Sequence, residues 1–254
     1  WSHALPAARQ GEVFHRYILG LYDLYERLTT AFPHVLFESC ASGGNRFDPG
    51  MLYYAPQAWT SDNSDAVERQ KIQYGTSMCY PLSSMGSHVS VVPNHQVNRV
   101  TPLHTRANTA YFGTFGYELD LGKLSAEELA EVKDEIAFMK EYREIFQFGT
   151  FYRLQSPFEH TVMAWMCVSG DQKTAIVGWY RTLNRVNDRF ARVRLAGLLP
   201  DTLYEDSRSG ARCYGDELMH YGLITTDGTT GEPHPEDGLT TDFDSRLYVL
   251  NAVE

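Results

Sequence analysis

Glu38-Ser39-Cys40-Ala41-Ser42-Gly43-Gly44-Asn45-Arg46-Phe47-Asp48-Pro49-Gly50 and, shortly after it, Trp59-Thr60-Ser61-Asp62-Asn63-Ser64-Asp65-Ala66 are crowded with turn formers. Gly, Ser, Asn, Asp and Pro at this density favour turns and positive φ over a regular helix or a core strand, so both stretches read as loops. Each follows a short apolar run. His34-Val35-Leu36-Phe37 leads into the first, and Met51-Leu52-Tyr53-Tyr54 with Ala55-Pro56-Gln57-Ala58-Trp59 leads to the second. Loops at strand ends, held by a rigid scaffold, are where reactive polar groups are usually presented.

Working outward, Phe14, Tyr17, Ile18, Leu21, Leu24, Tyr25 and Leu28 fall mostly at spacings of three and four, which predicts an amphipathic helix from Glu12 to about Thr30, before Pro33. A strand over His34–Phe37 and another approaching Trp59 flank the first loop. Ala66 to Tyr74 reads as a helix closed by Gly75, with N-cap chemistry throughout Ser61–Asp65. Met78–Tyr80, Val89–Val92 and Ala110–Gly116 are further strand candidates. Ser125-Ala126-Glu127-Glu128 is a capping box, with Leu124 and Leu129 placed to staple the helix that follows.

Helix and strand therefore alternate to about Phe146, the pattern of parallel β/α units. Beyond it the chain changes character. Phe151–Leu154, Thr161–Val168, Thr174–Tyr180, Phe190–Leu195, Thr202–Asp206 and Arg246–Val253 are strand-like segments between turns, with no convincing helix, which predicts an antiparallel β-sandwich. The expected boundary lies near Phe148-Gly149, giving an α/β part over residues 1–148 and an all-β part over 149–254.

The chain has 254 residues and is 43% hydrophobic, enough for a sizeable core in one or two domains. A formal net charge of -10 with no Lys/Arg cluster argues against nucleic acid or an anionic membrane as a partner and leaves a neutral ligand. Aromatic residues make up 13% of the chain, which suits stacking on sugar faces as well as ordinary core packing. Cys40, Cys79, Cys167 and Cys213 form no C-x-x-C pair, so neither zinc nor a disulfide framework is expected, and a cytoplasmic, reducing location fits. No apolar run of about 18 residues and no signal-peptide pattern is present. The chain begins Trp1-Ser2-His3 without Met.

At the two loops the chain closely resembles the α-galactosidases of glycoside hydrolase family 36. The resemblance is carried by Phe37 through Gly50, by Pro56-Gln57-Ala58-Trp59-Thr60-Ser61-Asp62-Asn63-Ser64-Asp65-Ala66, and by Ile72-Gln73-Tyr74-Gly75-Thr76-Ser77. It extends through Tyr80–Ser90 and Pro93-Asn94-His95-Gln96 to the helix after Ser125. The family fold implies that residues 1–148 are the second half of a (β/α)8 TIM barrel and residues 149–254 the C-terminal β-sandwich.

The resemblance also implies a retaining mechanism on terminal α-galactosides of the melibiose and raffinose type, with no cofactor and no metal. Asp62 matches the family's general acid/base. The nucleophile, in a Lys-Trp-Asp motif, has no match and would be expected shortly upstream of Trp1, so the 254 residues alone are expected to be inactive. Half a barrel would also leave an open sheet edge and uncovered apolar faces that favour association, a homo-oligomer included, whereas the sandwich after Gly149 could close its own core.

Each candidate residue has a plainer reading. Asp62 could be a helix N-cap, although Ser64 or Asp65 would serve equally and free it. Cys40 could be a small buried side chain; the resemblance makes it, with Gly43, a substrate contact. Arg46 and Asp48 could pair to fix the loop, and Trp59 could pack beneath it, so these three are expected to support the site. His88, His95 and His104 match no metal-site spacing. A reading of a different class is a non-catalytic carbohydrate-binding or assembly fragment.

Overall fold

The computed structural model describes residues 2–184, 192–225 and 242–253, and the chain divides into two compact units, Trp1–Thr60 and Ser61–Glu254.

The first unit begins with α1 (Glu12–Ala31), where the periodicity placed it. None of its residues is buried, and Phe14, Leu19 and Leu24 are exposed. Within this unit its apolar face meets aromatic rings: Tyr25 packs on Phe37 and Tyr54, and Tyr22 on Tyr54. The expected strand over His34–Phe37 is irregular, and β1 is the next two residues, Glu38–Ser39. It pairs in parallel with β2 (Gln57–Trp59). Met51–Tyr54, an apolar run ahead of the second loop, is the body of α2 (Pro49–Tyr54), and the strand expected on the approach to Trp59 is β2. The Asp48 side chain accepts from Met51 N at 2.9 Å, and Pro49 sits at the first helical position, where its missing N–H costs nothing.

The second unit opens with α3 (Ala66–Thr76), β3 (Met85–Ser90), α4 (Leu103–Ala110), β4 (Thr114–Glu118) and α5 (Ala126–Phe148). β3 and β4 pair in parallel, Gly86 opposite Thr114 through Ser90 opposite Glu118. The capping box at Ser125 and Glu128 forms as expected. Two strand expectations fail here. Met78–Tyr80 is a turn, because the amides of Met78, Cys79 and Tyr80 bond back to the carbonyls of Gly75 and Thr76. Ala110 ends α4, and the strand starts only at Thr114.

After Gly149 every pairing among the described residues is antiparallel. β5 (Thr150–Gln155), β6 (Val162–Val168), β7 (Thr174–Arg181), β9 (Leu203–Asp206), β10 (Arg212–Tyr214) and β12 (Asp244–Ala252) form a sheet ordered β10-β9-β12-β7-β6-β5. β8 (Arg192–Val193) pairs separately with β11 (Leu223–Ile224). Phe190 and Ala191, expected in the strand of β8, lie outside the described residues. A short helix, α6 (Gly215–His220), interrupts the all-β reading; Glu217, reaching back to the amide of Tyr214 at 2.8 Å, secures its start.

Both faces of the large sheet are buried. One carries Ala164, Met166, Val168, Ala175, Val177 and Trp179, packed under Val193, Leu195, Leu198 and Leu218. The other carries Trp165 and Tyr180, both fully buried. Phe112, which itself packs on Phe146 at the end of α5, lies 5.0 Å from the Trp165 ring. Gly178 makes room for this contact, since a Cβ there would sit 2.9 Å from Phe112 and 2.8 Å from the indole nitrogen of Trp165. Tyr180 Oη accepts from Trp165 Nε1 at 3.0 Å and donates to the Asn108 carbonyl on α4 at 2.6 Å. Residues after Gly149 thus close the core on the first face by themselves, whereas on the second face α4, Phe112 and α5 supply the wall.

Candidate active site

In the first unit Cys40, Gly43 and Arg46 share one turn. Ser42 at φ +54 and Gly43 at φ +74 reverse the chain in the left-handed region, which a glycine enters at no steric cost. The reversal is closed by Ala41 N to Gly43 O at 3.0 Å. Gly44 is needed for a different reason: a Cβ there would lie 2.7 Å from the carbonyl of Thr60. Arg46 donates to the carbonyl of Cys40 at 3.1 Å and to Tyr17 Oη at 2.5 Å, which ties the turn to α1. The Cys40 thiol is free and exposed, not the buried side chain of its plainer reading.

The suggested Arg46–Asp48 pair does not form. Asp48 is occupied at the start of α2, where its carboxylate also accepts from Tyr22 Oη at 3.3 Å. Trp59 ends β2 with its side chain buried.

In the second unit Asp65 is the N-cap of α3, accepting from Glu68 N at 3.0 Å, and Arg99 ion-pairs with the same carboxylate. The cap that competed for Asp62 is therefore taken by its neighbour. Asp62 is exposed, and among the described residues nothing hydrogen-bonds its carboxylate. Its carbonyl and the residues beside it, by contrast, are held by hydrogen bonds. Asn63 N donates to Ser61 Oγ at 3.1 Å, Asp65 N donates to Asn63 Oδ1 at 3.1 Å, and Gln96 Nε2 donates to the carbonyl of Asp62 at 3.0 Å. The Ser64 carbonyl accepts from Ser90 Oγ at 2.7 Å.

Beneath this segment lies Arg69, which donates to the Ser61 carbonyl at 3.3 Å and to that of Gly86 at 2.5 Å. Burial disfavours its charge and lowers its pKa to about 10, so it still carries the charge that strengthens those bonds at neutral pH. Arg69, Gln96 and Arg99 were not singled out from the sequence. Pro93-Asn94-His95-Gln96 stood out only within the resemblance, and nothing in local spacing says which distant carbonyl a glutamine will reach.

The three histidines take separate surroundings. His88 faces Glu118 at 3.7 Å, His104 Nε2 lies 2.7 Å from Asp244, and His95 is exposed. Among the described residues no group of three or more His, Cys, Asp or Glu side chains could hold a metal, and no helix is long and apolar enough to cross a membrane. All four cysteines are free thiols.

Two family profiles cover most of the chain: the one described as Melibiase matches residues 1–149, and the Glycosyl hydrolase family 36 C-terminal domain matches residues 162–250. The chain belongs to glycoside hydrolase family 36. It is 51% identical over 253 residues to α-galactosidase AgaA of Geobacillus stearothermophilus, covering 100% of this chain and 33% of that protein. A crystal structure of a substituted family 36 AgaA in complex with raffinose superposes with a TM-score of 0.89 at 51% identity, covering 98% of this chain and 33% of that one. The α-galactosidase of Lactobacillus brevis gives a TM-score of 0.90 at 50% identity, covering 99% of this chain and 33% of that one. The chain thus spans about a third of the length of the curated relatives it matches.

Proposed function

We propose that these residues belong to a retaining α-galactosidase acting on terminal α-galactosides of the melibiose and raffinose type, with Asp62 as its general acid/base. The observation that carries the reading is Asp62 itself: an exposed carboxylate with no hydrogen-bond partner among the described residues, on a segment whose neighbouring residues are held by hydrogen bonds. A proton donor has to be available to the substrate and carried within its reach; the unpartnered carboxylate meets the first demand, and the pinned segment that carries it meets the second. Raffinose in the AgaA complex supports the substrate class.

In this reading Asp62 protonates the departing glycosidic oxygen and then takes a proton from the water that releases galactose. Retention requires a second carboxylate about 5–5.5 Å away to attack the anomeric carbon. That group is the Asp of the Lys-Trp-Asp motif, which the 254 residues do not contain. The exposed Cys40 and the left-handed Gly43 line the galactose pocket; Arg46, Asp48 and Trp59 hold their loop. Residues 1–148 form the second half of the (β/α)8 barrel and residues 149–254 the C-terminal sandwich, in a cytoplasmic enzyme needing neither metal nor cofactor.

The test is Asp62→Asn in the complete protein. Turnover of raffinose should fall by at least about a thousandfold, the upper part of the range for a lost acid/base. An aryl α-galactoside with an acidic phenol should lose far less in the glycosylation step. Equal losses in that step on both substrates, or near-normal activity on raffinose, would defeat the assignment. A complete protein with no activity on any α-galactoside would leave the carbohydrate-binding reading in its place.

A further inference from the structure

We infer that the turn over residues 94–99, between β3 and α4, is a positioning device for Asp62, with Gln96 its decisive residue. The inference rests on the acid/base reading of Asp62 and adds the part that aims it. Three side chains of this one turn reach three different residues of the Asp62 segment. Asn94 Nδ2 donates to Ser64 Oγ at 3.2 Å, Gln96 Nε2 donates to the Asp62 carbonyl at 3.0 Å, and Arg99 ion-pairs with Asp65. Residues 62, 64 and 65 are thereby gripped from a single element some thirty positions along the chain.

The grip is stiff because the turn is braced internally. Asn94 is buried, and its Oδ1 accepts from the amides of Gln96 at 3.0 Å and Val97 at 3.3 Å. Its own amide donates to the Arg99 carbonyl at 2.9 Å, and its carbonyl accepts from Asn98 N at 2.8 Å. Arg99 is steadied in turn by the ring of Phe243, 5.0 Å from its guanidinium carbon. Among the described residues the Asp62 carboxylate makes no hydrogen bond or ion pair of its own, so the backbone that carries it sets the region it can reach, with only its two side-chain torsions left to vary. Among the described residues the side-chain donor to the peptide carbonyl at Asp62 is Gln96. A displacement of about 1 Å in a catalytic group can cost on the order of a hundredfold in rate, so the orientation of this one peptide matters to the reaction.

Gln96 is exposed, which separates its effect on geometry from any effect on folding. The experiment compares Gln96→Met and Asp62→Asn in the complete protein, reading kcat/KM on raffinose and on 2,4-dinitrophenyl α-galactoside, together with inhibition by galactose and the thermal midpoint. kcat/KM reports the steps through glycosylation, and dinitrophenolate departs without a proton. For Gln96→Met the expected result is a loss of about tenfold on raffinose, the scale of one hydrogen bond, and of less than about twofold on the dinitrophenyl substrate. Galactose inhibition and thermal midpoint should stay as in the wild type.

If Asp62→Asn shows the split between substrates while Gln96→Met leaves both rates unchanged or lowers both equally, the positioning role is overturned and the acid/base reading stands. If Asp62→Asn itself shows no split, the acid/base reading fails and takes this inference with it.

Discussion

Replacing Glu135 with Gln should make the protein more stable in mild alkali and leave it little changed in acid. Glu135 projects from α5 into a largely buried site, 7% exposed. Its Oε2 accepts from Tyr117 Oη at 2.5 Å, its backbone carbonyl accepts from Tyr111 Oη at 3.2 Å, and its Oε1 is buried with no partner among the described residues. Burial is the main influence and raises the carboxyl from the usual 4.5 to about 7. The Tyr117 hydroxyl, Arg106 and His104 pull it back down, while Glu131 pushes it further up. Below 4.5 the group is protonated in both folded and unfolded chains and favours neither. Between 4.5 and about 7 the folded chain holds a proton that the unfolded chain has released, so stability falls as pH rises. Above about 7 the loss is complete, and a difference of this size is worth about 3 kcal/mol. Gln keeps an acceptor for Tyr117 and cannot ionise. Urea denaturation at pH 5 and pH 8 should show the variant gaining about 2–3 kcal/mol on the wild type between the two conditions. Curves that move in parallel between the two pH values would show that Glu135 is ionised in the folded protein throughout, and would refute the argument.

Tyr180→Phe should cost about 2–4 kcal/mol in the same assay, because it leaves the buried indole N–H of Trp165 and the carbonyl of Asn108 without their shared partner; a cost under about 0.5 kcal/mol would mean that water replaces the hydroxyl. Gly43→Val in the complete protein should weaken galactose inhibition at least about tenfold, since a β-branched residue is strained at φ +74 and the turn must re-form around it. An unchanged inhibition constant would take this loop out of the pocket. A fragment starting at Gly149 should expose the Trp165 face of its sheet and unfold without a cooperative transition, as followed by calorimetry; a sharp calorimetric transition would show that α4 and α5 are dispensable to that core.

The sequence was most legible where local chemistry and structure coincide. The period of α1, the Ser125–Glu128 box and the apolar runs of β6 and β7 became the elements they suggested. Asp65 took the N-cap that the alternatives allowed it. The helix over Met51–Tyr54 was not foreseen although its signal was present, since Asp48-Pro49 ahead of an apolar run is a helix start as much as a loop end. Met78–Tyr80 has strand-like residues but spends its amides on the end of α3, a competition that composition does not register. The missed part of the candidate site is the part made by distance: Gln96 and Arg99 act about 34 positions from Asp62 and Asp65, and no local pattern encodes such a pairing.

The wall that α4, Phe112 and α5 lend to the large sheet bears on how this family can vary. Phe112 and Phe146 on one side of the join, and Trp165, Gly178 and Tyr180 on the other, occupy a single packed space in which a Cβ on Gly178 already collides. A larger side chain at any of these positions survives only with a smaller one opposite. Substitutions here should accumulate in compensating pairs across Gly149. A chimera that exchanges the C-terminal sheet between two relatives at that glycine would then inherit half of a matched set, and the exchange that keeps the set whole is one cut before α4.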